Sequence, residues 1–222
     1  MVTLHHLNNS RSQRILWLLE ELGIDYDVKR YERDAVTNLA PASLRAIHPL
    51  GRSPVLTEGD TTIAESGAIV DYLVQMYGKD TFAPPTDKQD YQQYLFWVHF
   101  AEGSLMPPLV ALMILEKARV KASKMFFIKP IADRIVDGII NAYYGPNLTQ
   151  SLAYIEAYLE QNEWFAGRTP NAADVQMIFP LEAIVASGKA KDLPAIAAYV
   201  KRVHERDTYQ RALEKGGEYA YA

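Results

Sequence analysis

With 222 residues, 49% of them apolar and 23% charged, the chain has the composition of an ordinary globular protein. Its formal net charge of −4 argues against a nucleic acid or an anionic membrane surface as a partner. Because it contains no cysteine, disulfides, thiolate metal sites and cysteine nucleophiles are excluded. The first residues lack the regions of a signal peptide, and the apolar runs fall short of the roughly 20 residues of a membrane span. We therefore expect a soluble, cytoplasmic protein with no nucleic-acid or membrane partner.

The beginning of the chain predicts a strand, a helix and a second strand. Residues 2–7 suit an opening strand, and residues 26–31 alternate between polar and apolar side chains as a second strand does. Between them, apolar residues recur at the spacing of one helical face until Gly23 ends the helix. Because the connections are short, these three elements predict a parallel β-α-β unit.

The next stretch predicts a hairpin followed by a helix. Residues 42–47 suit a short irregular helix, and residues 53–57 and 61–64 flank a turn-forming Glu-Gly-Asp sequence. Residues 65–67 read Glu-Ser-Gly and open a helix that continues to Tyr77. Together with the first unit, this order predicts a mixed four-stranded sheet with helices packed on it.

A change of pattern near residue 80 divides the chain into an α/β part and an all-α part. We predict domains at residues 1–79 and 89–222, joined by a linker at 80–88 that contains two prolines and several charges. Beyond the linker, the pattern predicts helices at 91–116, bent at Pro107-Pro108, at 126–144 and 148–159, separated by Gly145-Pro146, at 175–186, continuing through Pro180, and at 193–203.

Two motifs at fixed spacing point to a known family. Residues 48–56 read HPLGRSPVL, and residues 64–69 read AESGAI. This loop, strand-opening proline, hairpin and acid–serine pair resembles the glutathione site of the cytosolic glutathione transferase superfamily. Residues 7–16, LNNSRSQRIL, are similar to that family's catalytic loop and first helix, and residues 171–174, NAAD, to a helix-capping box. The resemblance covers essentially the whole chain and implies a thioredoxin-like N-terminal domain and a C-terminal helical bundle.

The resemblance implies which residues bind glutathione. A cis peptide before Pro54 would let the backbone of Ser53 pair with the cysteinyl residue of glutathione. Ser66 would bind the γ-glutamyl carboxylate, Glu65 the ammonium group and Arg52 the glycine carboxylate. From residue chemistry alone, a trans-proline at a strand edge and a simple N-cap at Ser66 explain the same residues. The combination of motifs favours the binding roles.

The resemblance also places a thiol-activating group just after the first strand. Ser10 stands four residues before Arg14, as in serine-type members of the family. Ser12 and Asn9 are alternatives, because a second hydroxyl or an amide could also donate to the sulfur. The start of the following helix would stabilise a thiolate in the same way. Ser10 could cap that helix as well.

The helical domain is expected to supply the electrophile pocket. Candidate lining residues on its first helix are Trp97, Phe100, Ser104, Met106 and Pro107, of which we select Phe100, Ser104 and Pro107. Aromatic and methionine side chains at helical spacing are more often core residues. Glu102 is a candidate partner for the γ-glutamyl ammonium, in its own or a partner subunit.

The function that follows is attack of glutathione thiolate on an apolar electrophile, as in detoxification. Glutathione is the cosubstrate, with no metal or other cofactor, since neighbouring His5 and His6 on a strand point to opposite faces. The alternatives are a non-catalytic binding or assembly module and a glutathione-dependent isomerase, peroxidase or dehalogenase for one metabolite. A homodimer is expected from the resemblance and from an apolar patch that comprises Tyr72, Val74, Met76, Tyr91, Tyr94, Phe96 and Trp97.

Overall fold

The computed structural model describes residues 1–34, 37, 39–78, 82–122 and 127–222. Four strands, β1 (Val2–Leu7), β2 (Tyr26–Tyr31), β3 (Val55–Glu58) and β4 (Thr61–Ala64), form a sheet in the order β2-β1-β3-β4. β1 is parallel to β2 and antiparallel to β3, which pairs antiparallel with β4. The prediction of a mixed four-stranded sheet is confirmed.

Three helices accompany the sheet: α1 (Ser12–Leu22), α2 (Ala42–Arg45) and α3 (Ser66–Tyr77). Gly23 ends α1 in the left-handed conformation, with φ of 62°, as predicted. Residues 12–20 of α1 are all buried, since β1 and α3 enclose the helix together with two helices of the C-terminal half. A surface helix would bury one stripe only, so α1 is a central element of the contact between the two halves.

In its described residues, 82–122 and 127–222, the C-terminal half consists of helices and the loops that join them, with no strand. Its helices are α4 (Lys88–Phe100), α5 (Met106–Ala122), α6 (Lys129–Ile139), α7 (Gly145–Leu159), α8 (Ala172–Ala186), α9 (Pro194–His204) and α10 (Asp207–Gly216). α8 packs against α1, α3, α4 and α9, which places it at the centre of the molecule. The predicted division near residue 80 falls at residues 79–81, outside the described residues.

The two positions at which prolines predicted a bend or a break, Pro107-Pro108 and Gly145-Pro146, each follow a π-helical segment. Segments Ala101–Leu105 and Ile140–Tyr144 lead directly into α5 and α7, so Lys88–Ala122 and Lys129–Leu159 are each continuous. Proline lacks the N–H that would bond to the carbonyl four residues earlier, and a wider turn before it accommodates that loss. The predicted break at Gly145-Pro146 is therefore wrong, whereas α8 continues through Pro180 as predicted.

Among the described residues, Lys88–Ala122 is the single helix whose length and apolar composition would allow it to cross a membrane. A core helix of a soluble protein meets the same criterion, and Trp97, Leu105 and Leu112 on this helix belong to the main hydrophobic core.

The capping box at the start of α8 forms as predicted. The Asn171 side chain accepts from Ala173 N at 2.9 Å, and Asn171 N donates to Asp174 Oδ2 at 2.9 Å. Asp174 is fully buried and also accepts from Phe165 N and the Tyr199 hydroxyl. The box thus ties the preceding loop and α9 to the central helix.

Candidate active site

A cleft of about 1060 Å³ lies between the sheet-bearing half and the helical half. Its two sides differ in chemistry. We call the side formed by Ser10, Arg52, Ser53, Glu65 and Ser66 the polar wall. We call the side formed by Met106, Leu109, Val110, Met113 and Phe179 the apolar wall.

The binding residues of the polar wall occupy the loop before β3 and the start of α3. The Ser53-Pro54 peptide is cis, which confirms the prediction for this bond. Ser66 is the first residue of α3 and is 4% exposed, and helix starts present free N–H groups and a positive dipole end to an anion. Arg52 and Glu65 are both well exposed at the mouth, with their charged atoms 4.0 Å apart.

Ser10 lies in the loop between β1 and α1 and joins the same wall. Its side chain is 6% exposed and accepts from Ser12 N at 3.2 Å, but the N-cap position of α1 is Arg11, so the expectation that Ser10 caps the helix is not met. Ser10 Oγ is also 2.8 Å from Ser12 Oγ and 3.3 Å from Ser53 Oγ. The folded chain thus brings together two residues that the sequence singled out for different roles, Ser10 and Ser53.

The two alternatives to Ser10 lie in different surroundings. Ser12 is fully buried behind the loop, is not part of the cleft lining, and bonds to His6 Nδ1 at 2.9 Å. Asn9 lines the cleft with a φ of 49°, a left-handed conformation that asparagine tolerates. Its Oδ1 accepts from Ala220 N at 2.8 Å, so the residues after α10 contact this loop.

The selected pocket residues Phe100, Ser104 and Pro107 do not line the cleft. Phe100 stacks on Phe96 at 5.2 Å, and Ser104 and Pro107 are exposed. From this helix the cleft instead receives residues 102, 106, 109, 110, 112, 113, 116 and 117. A π turn adds a residue to the helical repeat, so the segment Ala101–Leu105 shifts which positions face the cleft. Of the other two candidates, Met106 lines the cleft and Trp97 is a core residue.

Glu102 lines the cleft but is already paired within its own chain. Its carboxylate accepts from Arg11 Nε at 2.9 and 3.0 Å and from Arg14 Nη2 at 2.6 Å. Burial opposes ionisation of this carboxyl, but Arg14 and Arg11 outweigh it and hold the pKa of Glu102 below its usual range. Glu102 therefore anchors two arginines beside Ser10.

Arg14 connects three elements. It is fully buried on α1, donates to the Gln176 backbone carbonyl at 3.0 Å and to the Gln176 side chain, and reaches Glu102 in the π segment. Its guanidinium also lies 5.2 Å from the centre of the Phe179 ring. Burial lowers the pKa of Arg14, and the charge of Glu102 opposes that effect.

Several cleft residues had no recognisable signal in the sequence. Phe179 lies in α8, whose sequence is apolar on nearly all sides, and Tyr221 follows α10. The two rings meet edge to face at 5.9 Å. Because neither position belongs to a motif, only packing could have revealed them.

The two histidines of β1 are engaged by neighbouring side chains. His5 lies 2.8 Å from the Tyr31 hydroxyl and 3.1 Å from Thr57 Oγ1, whereas His6 contacts Ser12. Over residues 1–34, 37, 39–78, 82–122 and 127–222, no group of three or more His, Asp and Glu residues is arranged to hold a metal ion.

Comparison with known proteins gives consistent matches over the whole chain. The family models "Glutathione S-transferase, N-terminal domain" and "Glutathione S-transferase, C-terminal domain" match residues 1–75 and 145–207. Glutathione S-transferase 3 of Schizosaccharomyces pombe is 38% identical over 216 residues, which cover 97% of this chain and 88% of that protein. Glutathione S-transferase 1 of Saccharomyces cerevisiae is 33% identical over 225 residues, covering 97% and 95%. A glutathione S-transferase structure from Actinobacillus pleuropneumoniae superposes with a TM-score of 0.80 at 32% identity, covering 99% of this chain and 94% of that one.

Proposed function

This chain belongs to the glutathione S-transferase family, and we propose that Ser10 activates the glutathione thiol for attack on an apolar electrophile. The fold is a thioredoxin-like domain followed by a helical domain, and glutathione is the cosubstrate of the transferase. We assign glutathione binding to residues 1–79 and the electrophile pocket to residues 89–222. The observation that carries the proposal is the meeting of Ser10, Ser53 and Ser66 on one wall of a cleft whose other wall is apolar.

The polar wall offers a complementary group for each polar part of glutathione. The backbone of Ser53 before the cis proline would pair with the cysteinyl residue and direct its sulfur toward Ser10. Ser66 at the start of α3 suits the γ-glutamyl carboxylate, with Glu65 beside it for the ammonium group. Arg52, 74% exposed at the mouth, suits the glycine carboxylate.

Catalysis requires a lower thiol pKa, because the thiolate is the nucleophile. A hydroxyl donor aimed at the sulfur stabilises the charged form and lowers that pKa. Ser10 lines the cleft and Ser12 does not, which favours Ser10 as the donor. Asn9 lines the cleft too, and since its carbonyl oxygen accepts from Ala220 N, its amide N–H2 is the group that would compete with Ser10 as donor.

The apolar wall supports an apolar electrophile as the second substrate. Met106, Leu109, Val110 and Met113 of α5, together with Phe179 of α8, provide dispersion contacts, and Glu116 and Lys117 of α5 also line the cleft. Methionine adapts to ligands of different shape. Conjugation of varied apolar electrophiles, as in cytoplasmic detoxification, is the use that this wall suits best.

Titration of the bound thiol tests the assignment. Ultraviolet thiolate absorbance, measured against pH in the glutathione complex, should give a thiol pKa about one unit higher in Ser10→Ala than in wild type, or about 1.36 kcal/mol of thiolate stabilisation. Ser43→Ala, at an exposed position of α2 away from the cleft, is the control. An unchanged pKa in Ser10→Ala, with a raised value in Asn9→Gly, would transfer the role to Asn9.

The same chain is proposed to form a homodimer through α3 and α4. Met76, Tyr91 and Phe96 of the expected apolar patch are exposed, and Tyr77 and Leu95 extend it. Val74, Tyr94 and Trp97 are instead buried within the chain, and Tyr72 is half-buried, so these four do not belong to the exposed patch. Light scattering should give twice the chain mass of 25.0 kDa, and Met76→Glu should shift it toward the monomer.

A further inference from the structure

A chain of hydrogen bonds leads from a buried histidine to the proposed sulfur-activating hydroxyl. His6 is the next-to-last residue of β1 and lies behind the loop that carries Ser10. Its Nδ1 is 2.9 Å from Ser12 Oγ, which is 2.8 Å from Ser10 Oγ. All three side chains are almost fully buried. None of the motifs in the sequence pointed to His6.

The other hydrogen bonds of Ser53 and Ser10 restrict the directions in which their hydroxyl protons can point. The Ser53 hydroxyl donates to the His5 carbonyl at 3.1 Å, and Ser53 Oγ accepts from Leu7 N. Ser10 Oγ accepts from Ser12 N. The direction of the Ser10 hydroxyl proton is therefore decided by whether Ser12 donates to Ser10 or accepts from it.

The tautomer of His6 determines whether Ser12 donates to Ser10 or accepts from it. If Nδ1 lacks a proton, Ser12 donates to His6, and Ser10 can then donate to Ser12, which takes its proton away from the cleft. If Nδ1 carries the proton, His6 donates to Ser12. Ser12 then donates to its nearest acceptor, Ser10 Oγ, since the Leu7 carbonyl is farther away at 3.3 Å.

We propose that His6 is a positioning residue for catalysis: its Nδ1–H donates to Ser12, Ser12 donates to Ser10, and the Ser10 proton is left for the glutathione sulfur. In this arrangement Ser53 Oγ, at 3.3 Å, is a weak acceptor for Ser10 that the sulfur can replace. The inference rests on the proposed role of Ser10. It adds His6 and gives Ser12 a part that does not require contact with substrate.

The surroundings of His6 keep its ring in one charge state. Burial, helped by the nearby charge of Arg30, lowers the pKa of His6 to about 4. The imidazole therefore stays neutral through the working range of a cytoplasmic enzyme. Its two tautomers, rather than its charge, are what the neighbouring hydroxyls can select.

The test measures the pKa of the bound glutathione thiol in three variants. His6→Leu removes the donor, Ser12→Ala breaks the chain, and His6→Asn places an amide N–H close to the position of Nδ1. The first two should raise the thiol pKa by about half a unit and lower kcat, with little change in the KM for glutathione, because a second hydrogen bond acts only through the first. His6→Asn should return the pKa to the wild-type value.

His5→Leu is the matched control, because His5 is equally buried on the same strand and contacts Tyr31 and Thr57 instead. Its thiol pKa should equal that of wild type. The proposal is overturned if folded Ser12→Ala or His6→Leu leaves the thiol pKa unchanged while Ser10→Ala raises it. If Ser10→Ala has no effect, the role of Ser10 itself fails, which is a separate result. If His6→Leu does not fold, Ser12→Ala and His6→Asn decide the question.

Discussion

The polar wall of the cleft comes from three short motifs of the sheet-bearing half, whereas the apolar wall comes from helices that are far apart in sequence. Each group of the polar wall is fixed by local backbone: a loop before a helix, a cis peptide, a helix start. The residues of the apolar wall are fixed by how α5 and α8 pack and by a π turn between α4 and α5. The wall proposed to bind glutathione is thus set by local sequence. The wall proposed to bind the electrophile is set by how distant helices pack.

The largest expected effect is a loss of stability on replacing Arg14, which connects α1 to the helical half. Arg14→Met removes a buried cation that connects α1 to Glu102 and Gln176. Breaking a buried pair leaves the partner groups without compensation, and we expect a loss of about 3–5 kcal/mol in the free energy of unfolding. Urea unfolding followed by circular dichroism measures it.

Arg11→Met is the comparison variant, since Arg11 pairs with the same Glu102 but is one-third exposed, at 33%. Its loss should be only about 1 kcal/mol, as for pairs that water screens. An equal or larger loss at Arg11 would contradict the view that Arg14 joins the two halves.

A second prediction concerns pH and the strand behind the polar wall. In the folded chain the pKa of His6 is lowered from 6.5 to about 4, by burial first and by Arg30 second. Between these values mainly the unfolded chain takes up this proton, so the contribution of His6 to stability is complete above pH 6.5 and is lost as pH falls toward 4. The loss should reach about 2–3 kcal/mol near pH 4.5.

Comparing wild type with His6→Asn isolates this contribution, because the acidic groups of the protein are the same in both. Urea unfolding at pH 7 and pH 4.5 should show a smaller pH effect in the variant. Equal losses in the two proteins would mean that His6 does not resist protonation.

The third prediction weakens the polar wall alone. Ser66→Ala should raise the Kd for glutathione roughly ten- to hundredfold, since a hydrogen bond to a charged group contributes about 1.5–3 kcal/mol. Isothermal titration calorimetry measures the Kd, with Ser43→Ala as control. The KM for the electrophile should not change; if it rises as much as the Kd, the two walls do not bind their substrates separately.

The smallest effect is expected from the apolar wall, where no single contact dominates. Leu109→Trp should lower kcat/KM for bulky electrophiles by about tenfold and leave the Kd for glutathione unchanged. Ser104→Val, on the same continuous helix but exposed and outside the cleft, should change neither quantity. If Ser104→Val lowers kcat/KM and Leu109→Trp does not, the pocket lies on the helix face that the sequence predicted.

The cis peptide before Pro54 followed from the family resemblance alone, because residue chemistry by itself favours a trans-proline. The strand and helix order and the capping box at Asn171 could be predicted from the residues themselves. They depend on residues within a few positions of each other, so proline, glycine and capping side chains reveal them. The same holds for placing Ser10 and Ser66 at helix starts. Nearby residues are sufficient to predict those parts of the site that lie in loops and at helix starts.

Which hydroxyl faces the cleft, and which helical residues line it, was decided only by the tertiary structure. Ser10 and Ser12 are alike in sequence, but the strand behind the loop engages Ser12 through His6 and leaves Ser10 on the cleft. Phe100, Ser104 and Pro107 suited a pocket by composition, yet a π turn rotated the helix so that Met106, Leu109 and Met113 face it instead. Both outcomes depend on three-dimensional geometry, namely the bond between Ser12 and His6 and the packing of the helix beyond its π turn, which neither spacing nor composition records.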